Sequence, residues 1–108
     1  SKILFLGVTF KEDVPDLRNS KSIDIINFLK KKKHSLIVND PFVNDLKSNF
    51  KDFKNIQKET YDAIVLAVPH KFYLSKISQI KKLLKKNAIL FDIKGKVKNK
   101  NNIKYWSL

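Results

Sequence analysis

The chain has 108 residues, 43% of them hydrophobic, which suits one compact domain with a modest core. The absence of cysteine excludes disulfides, thiolate metal sites and a cysteine nucleophile. No apolar run approaches the ~20 residues that a membrane helix needs, and no signal-peptide pattern is present, so we expect a cytoplasmic protein.

The charge is the most unusual feature of the composition. The formal net charge is +13, and Arg18 is the only arginine among 23 basic residues. Such a charge is typical of nucleic-acid-binding proteins, because phosphate contacts dominate their affinity. However, planar recognition of phosphates and bases favours arginine, and the densest lysine runs lie where helices are predicted to end. From composition, a solvated basic surface and a polyanion-binding patch both stay open.

The first half of the chain alternates between strand and helix patterns. Residues 3–8 form an apolar run with the length of a buried strand, and residues 22–33 have the wide apolar stripe of a helix on a sheet. Residues 36–38 are predicted to form a second strand, which Pro41 ends. Residues 43–53 have helical spacing, which predicts a short helix.

The second half repeats the alternation. Residues 63–68 are predicted to form the most buried strand, residues 72–86 an amphipathic helix, and residues 88–91 a fourth strand. Residues 96–102 read as an exposed loop, and residues 103–106 as an edge strand. The predicted fold is a three-layer, Rossmann-like α/β domain, with a small, mostly parallel sheet and helices on both faces. We predict a single domain over residues 1–108.

Polar segments follow several of these strands. Because the carboxyl ends of parallel strands share one edge of a sheet, and open α/β sheets bind ligands there, this edge is the predicted functional site. The turn after Gly7 lacks the G-x-G-x-x-G pattern, so the chain is not expected to hold NAD in its own crevice. The cationic candidates for binding a phosphate are Lys11, Arg18 and Lys94.

The candidate residues have competing interpretations. The guanidinium of Arg18 can bond two oxygens of a carboxylate or phosphate, but an internal ion pair with Asp13 or Asp16 fits equally well. His70 has no evident carboxylate partner, so a surface or hydrogen-bonding role is favoured over acid–base catalysis. Asp40 is interpreted as a turn residue before proline. The two histidines have no spacing typical of a metal site.

The segment from Gly7 to Lys21 carries a family resemblance. Its Phe10-Lys11 pair, Asp16-Leu-Arg18 and Ser20 resemble the opening of the C-terminal domain of the UDP-glucose/GDP-mannose dehydrogenase family. The version with Pro15 and Asn19 is most similar to the Vi-polysaccharide type, which oxidises UDP-N-acetylhexosamines. The resemblance continues through residues 40–41, 61–68 and 90–94, and so covers nearly the whole chain.

The resemblance implies roles for individual residues. The arginine that Arg18 matches reaches the NAD of the adjoining domain, so Arg18 is expected to be cofactor-binding. Lys11 is expected to contact the UDP-sugar, and Phe10 to line its pocket. Lys94 stands where the family usually has an arginine that reaches the nucleotide, and Ile93 replaces a glycine before it.

The resemblance also implies a larger enzyme. An N-terminal NAD-binding domain and a central helical domain would precede this UDP-sugar-binding domain, and full-length members form homodimers through the central helices. Such enzymes oxidise a sugar C6 alcohol to a carboxylate in two NAD-dependent steps. Their catalytic cysteine, lysine and aspartate lie outside the matched part, so we expect the fragment alone to be inactive.

An alternative class is a stand-alone basic module that binds nucleic acid or another polyanion. The near-absence of arginine and of exposed aromatic runs argues against nucleic acid. No membrane partner is predicted.

Overall fold

The computed structural model describes residues 2–7, 27–28, 31–32, 35–41, 53–56, 58, 60–98 and 103–107. These residues contain one sheet of five strands, in which every neighbouring pair is parallel. The strands are β1 (Lys2–Leu6), β2 (Ser35–Asn39), β3 (Tyr61–Leu66), β4 (Leu84–Asp92) and β5 (Lys104–Ser107). The predicted parallel sheet is therefore confirmed: β1, β3 and β5 are shifted by one or two residues from the predicted ranges, and β2 and β4 extend beyond theirs at both ends.

The described helical segments are short. They comprise a 3-10 turn at Phe53–Asn55 and two α-helices, α1 (Lys71–Leu74) and α2 (Ile77–Lys81). Asn27, Phe28 and Lys31 are also α-helical, as predicted for residues 22–33. The helix predicted over residues 43–53 lies outside the described residues except for its last position.

The strand order is β2-β1-β3-β4-β5. Strand β2 thus lies on one side of β1, and β3, β4 and β5 follow in order on the other side. In such doubly wound sheets the order reverses between β1 and β3, and a crevice opens beyond their carboxyl ends. The register places Leu6 opposite Leu66 at this point.

Both faces of the sheet are buried along the central strand β1, as expected for a parallel strand covered on two sides. Successive side chains of β1 alternate between two apolar clusters, because a strand has a period of two residues. Leu4 and Leu6 belong to the cluster that contains Tyr73 of α1 and Ile80 of α2. Ile3 and Phe5 belong to a second cluster, built with Leu36, Val38, Ala67 and Val68. The Rossmann-like α/β prediction is confirmed.

The predicted helix over residues 72–86 is wrong in its last part. Helix α2 ends at Lys81, and the carbonyl of Leu83 accepts the amides of Thr60 and Tyr61, at 3.0 and 3.1 Å. These bonds tie the approach of β4 to the start of β3, so β4 begins at Leu84. Leu83 and Leu84 fit a helical stripe in the sequence, but both are buried where the chain enters β4.

Strand β4 also contains an irregularity that the sequence does not predict. Tyr61 pairs with Leu84 and Ala63 pairs with Ile89, so two steps along β3 correspond to five along β4. Asn87 lies in this bulge with φ of 66°. Asparagine tolerates the left-handed region better than most residues do, which suits it to this position.

Candidate functional site

The carboxyl edge of the sheet gathers the candidate residues. Gly7 follows β1, Asp40 follows β2, His70 lies four residues beyond β3, and Lys94 lies two residues beyond β4. The strands end nearly level, since Leu6 pairs with both Asn39 and Leu66, and Leu66 pairs with Asp92. The topology therefore brings these separate segments to one edge.

Gly7 is required by the close approach of the neighbouring loop. Its φ is +96°, and a Cβ built there would lie 2.6 Å from the Cβ of Val68 and 2.8 Å from the nitrogen and oxygen of that residue. The carbonyl of Leu6 also accepts the amide of Ala67 at 2.9 Å. Val68 thus fills the space that a side chain at position 7 would need, so only glycine fits there.

Tyr73 ties the end of β2 to α1. Its hydroxyl donates towards the carbonyl oxygen and the Oδ1 of Asn39, each at 2.7 Å, and the same carbonyl accepts the Gly7 amide at 2.9 Å. Burial raises the pKa of Tyr73 well above its ordinary value, and the charge of Asp40 adds to this. A bond from the Gly7 amide acts in the opposite direction. The phenol therefore stays a neutral donor at physiological pH.

His70 and Asp40 form a buried pair at the same edge. Nε2 of His70 lies 3.0 Å from Oδ2 of Asp40, and both side chains are fully buried. The interpretation that His70 lacks a carboxylate partner is wrong, and Asp40 is more than a turn residue. Since neither side chain reaches the surface, the pair holds the loops after β2 and β3 in place.

Asp92 organises the turn that carries Lys94. Its buried Oδ2 accepts the amide of Val97 at 2.7 Å and the hydroxyl of Tyr105. The amide of Gly95, at φ of 66°, reaches the carbonyl of Asp92 at 3.2 Å. Val97 is only 3% exposed, so the prediction of an exposed loop over residues 96–102 is wrong at this position. These contacts stabilise the turn, and Lys94 is exposed on it.

Tyr105 completes this cluster from β5. Burial, together with the bond to Asp92 and the charge of that carboxylate, raises the pKa of Tyr105 to about 12. The phenol is therefore protonated under ordinary conditions and remains a donor to Asp92. A strand-end aspartate followed by a turn is visible in the sequence, but its partner Tyr105 is 13 residues away.

The structure describes one of the four predicted site residues. Lys94 lies at the carboxyl edge, as predicted. Phe10, Lys11 and Arg18 follow β1 in the sequence but lie outside the described residues, so their roles stay predictions. Within the described ranges, no three His, Cys, Asp or Glu side chains are grouped to hold a metal ion. No helix among the described residues is long and apolar enough to cross a membrane.

The chain is similar to proteins of one known family. A profile of the UDP-glucose/GDP-mannose dehydrogenase family, UDP binding domain, matches residues 4–99. The chain is 41% identical over 96 residues to Protein CapL of Staphylococcus aureus, covering 83% of the chain and 22% of that protein. It is 35% identical over 99 residues to a UDP-N-acetyl-D-glucosamine 6-dehydrogenase of Pseudomonas aeruginosa, covering 87% and 24% respectively.

A solved structure shares the fold. The UDP-N-acetyl-mannosamine dehydrogenase Cap5O from Staphylococcus aureus superposes with a TM-score of 0.80 at 23% identity, over 98% of this chain and 26% of that one. The chain thus spans about a quarter of the length of the proteins it matches. These matches give no support to the stand-alone basic module that the composition left open.

Proposed function

The chain belongs to the UDP-glucose/GDP-mannose dehydrogenase family, and from that premise we propose that it is the UDP-sugar-binding domain of a larger NAD-dependent 6-dehydrogenase. The observation that carries the proposal is the match over residues 4–99, which includes every described strand end of the carboxyl edge from Gly7 to Lys94. The substrate class is UDP-N-acetylhexosamine or UDP-glucose, and the names of the relatives favour the N-acetylhexosamines.

The domain would bind the nucleotide by charge. A UDP group carries a diphosphate, and Lys94 is an exposed lysine on the turn that Asp92 stabilises. Lys11 and Arg18 would add two cations from the segment that follows β1. Since lysine acts as a point charge, Lys94 would attract a phosphate without the bidentate geometry of the arginine that the family usually has there.

The contribution of this domain to catalysis would be positional. Oxidation of the C6 alcohol to a carboxylate removes four electrons in two steps, and NAD accepts a hydride in each when it is bound. The chain lacks both cysteine and the G-x-G-x-x-G turn, so the remainder of the protein would supply the nucleophile and the NAD cradle. Held at its nucleotide, the sugar would meet those groups in a fixed orientation. Arg18 would reach the NAD of the adjoining domain.

Binding to the 108-residue chain tests the proposal directly. We expect UDP and UDP-N-acetylglucosamine to bind in calorimetric titrations and to shift the amide resonances of residues 93–97, while uridine without phosphates binds much more weakly. Lys94→Ala should weaken UDP binding and Lys94→Arg should retain it, because charge carries the contact. Lys98→Ala, at another exposed lysine, is the matched control. Equal binding of UDP by the Lys94→Ala variant and the parent chain would remove Lys94 from the site.

The full-length enzyme tests the division of roles. We expect Arg18→Ala mainly to raise the KM for NAD, and Lys11→Ala mainly to raise the KM for the UDP-sugar. The isolated chain should show no NAD reduction with any UDP-sugar. If both variants have the kinetics of the parent enzyme, the assigned roles are wrong even where the domain binds UDP.

A further inference from the structure

The amino edge of the sheet, opposite the candidate site, carries a lysine-lined cleft. Its volume is about 1160 Å³. Six of its lining residues are lysines, namely Lys58, Lys81, Lys82, Lys85, Lys86 and Lys104. The six residues of β3 separate this edge from the carboxyl edge by about 17 Å at ~3.3 Å per residue. The cleft is therefore distinct from the edge that carries Lys94.

The fold brings these lysines together from separate segments. Lys81 and Lys82 lie at the end of α2, and Lys104 begins β5. Lys85 and Lys86 lie in the bulge of β4, where both are exposed beside Asn87. The irregular pairing of β4 with β3 thus lies at the place where the lysines converge. Such a bulge re-aims side chains that a regular strand would send to alternate faces.

The described lining of the cleft is strongly basic. Among the described residues that line it, none is acidic. Lys85 contacts Asp62, with Nζ 3.3 Å from Oδ1, in a pair that is nearly half exposed on both sides. The other oxygen of Asp62 accepts the amide of Lys2 at 2.7 Å, so this carboxylate already has two partners. Clustered ammonium groups repel one another and concentrate anions near the surface.

We propose that this cleft binds a chain of three or more linked phosphates, carried by an inorganic or a nucleotide ligand. Lysine binds phosphate as a point charge, and several lysines around one cleft suit a chain of phosphates that carries several charges. The apolar lining consists of Leu84, Ala88 and Ile103, which offer no aromatic ring on which single-stranded bases could stack. The volume is also near that of small-molecule sites rather than of an extended groove.

Titration with sodium tripolyphosphate at physiological salt tests the cleft. Amide shifts are expected at residues 84–88 and 103–104, with those at residues 93–97 unchanged. Lys86→Glu with Lys104→Glu should weaken binding at least about tenfold, because each change replaces an attraction by a repulsion. Lys31→Glu with Lys98→Glu makes the same change in net charge at exposed lysines elsewhere and should retain affinity within about twofold. Circular dichroism of both double variants verifies folding.

Further titrations identify the class of ligand and the site at which it binds. Similar affinity for tripolyphosphate and ATP would support recognition of the phosphate chain, and tighter binding of ATP would support a nucleotide source at the same cleft. Saturating UDP should leave tripolyphosphate binding unchanged, so this result is independent of the proposed UDP-sugar function. The proposal fails if UDP displaces tripolyphosphate, if both double variants lose affinity equally, or if no binding occurs. It also fails if duplex DNA or anionic vesicles bind and tripolyphosphate does not compete with them.

Discussion

Nε2 of His70 lies 3.0 Å from Oδ2 of Asp40, in a pair with no exposed side-chain surface. The two residues are 30 positions apart and follow β3 and β2, the two neighbours of β1. The pair therefore bridges the carboxyl end of the central strand, beside Gly7. Fully buried polar side chains are stable where they are hydrogen-bonded, and this bond supplies a partner to one atom of each residue.

Removing either partner should destabilise the fold. We expect Asp40→Ala and His70→Ala each to lower the free energy of unfolding by about 1–3 kcal/mol, because each removes a bond between two fully buried polar side chains. The double variant should lose less than the sum of the two, since the interaction is removed only once. Urea unfolding followed by circular dichroism measures all four proteins. Additive losses would show that the two side chains do not stabilise each other.

Tyr73→Phe tests the bridge from α1 to the end of β2. The change deletes the hydroxyl that meets both oxygens of the buried Asn39, so we expect a loss of about 1–3 kcal/mol. Amide exchange at Gly7 should also accelerate, because the Gly7 amide shares the Asn39 carbonyl with Tyr73. Tyr61→Phe removes a hydroxyl at the opposite edge and is the control for exchange at Gly7. Unchanged Gly7 exchange in Tyr73→Phe would contradict this coupling.

The two glycines should respond differently to alanine. Both have positive φ, which costs an L-residue about 1–2 kcal/mol. At Gly95 the nearest atom to an added Cβ is 3.8 Å away, so Gly95→Ala should cost only that amount. At Gly7 the added atom would lie 2.6 Å from the Val68 side chain, so Gly7→Ala should cost at least about 3 kcal/mol. Thermal unfolding compares the variants, and equal losses would show that the approach of Val68 is not rigid.

The sheet can be predicted from the sequence because each strand is marked by a pattern of neighbouring residues. Continuous apolar runs identify β1 and β3, and a parallel sheet then places their polar successors on one edge. Gly7 and Lys94 are located by this reasoning alone. The family resemblance adds roles for residues, which local chemistry does not supply.

The parts that the sequence does not predict depend on contacts between distant residues. Leu83 and Leu84 continue a helical stripe, and the end of α2 is set by amides of Thr60 and Tyr61 that bond to the Leu83 carbonyl. The pairing of His70 with Asp40 likewise joins two loops that only the finished sheet brings together. Periodicity carries no information on such partners, so the helix boundary and the buried pair are both missed.

Titration of the tyrosines tests the electrostatics of the fold. The chain has three tyrosines, and the pKa is raised above the ordinary value for Tyr61, Tyr73 and Tyr105 alike, with burial as the largest cause in each. In the folded chain, phenolate absorbance should therefore stay low at pH values near 10, where free tyrosine is half ionised. In denaturant all three should ionise near the ordinary value of about 10.

The same shifts predict how stability depends on pH. A pKa that is raised in the folded state means that the folded chain holds the phenol proton more tightly than the unfolded chain does. The stability that each tyrosine gains in this way is fully present below pH ~10, and it declines as the pH rises towards the pKa of the folded state. For Tyr105 this stabilisation is lost as the pH approaches the pKa of about 12. Tyr105→Phe should abolish the titration step at about 12, and Asp92→Asn should move it downwards, because the neighbouring negative charge is removed. An unmoved step in Asp92→Asn would show that burial alone sets the Tyr105 pKa.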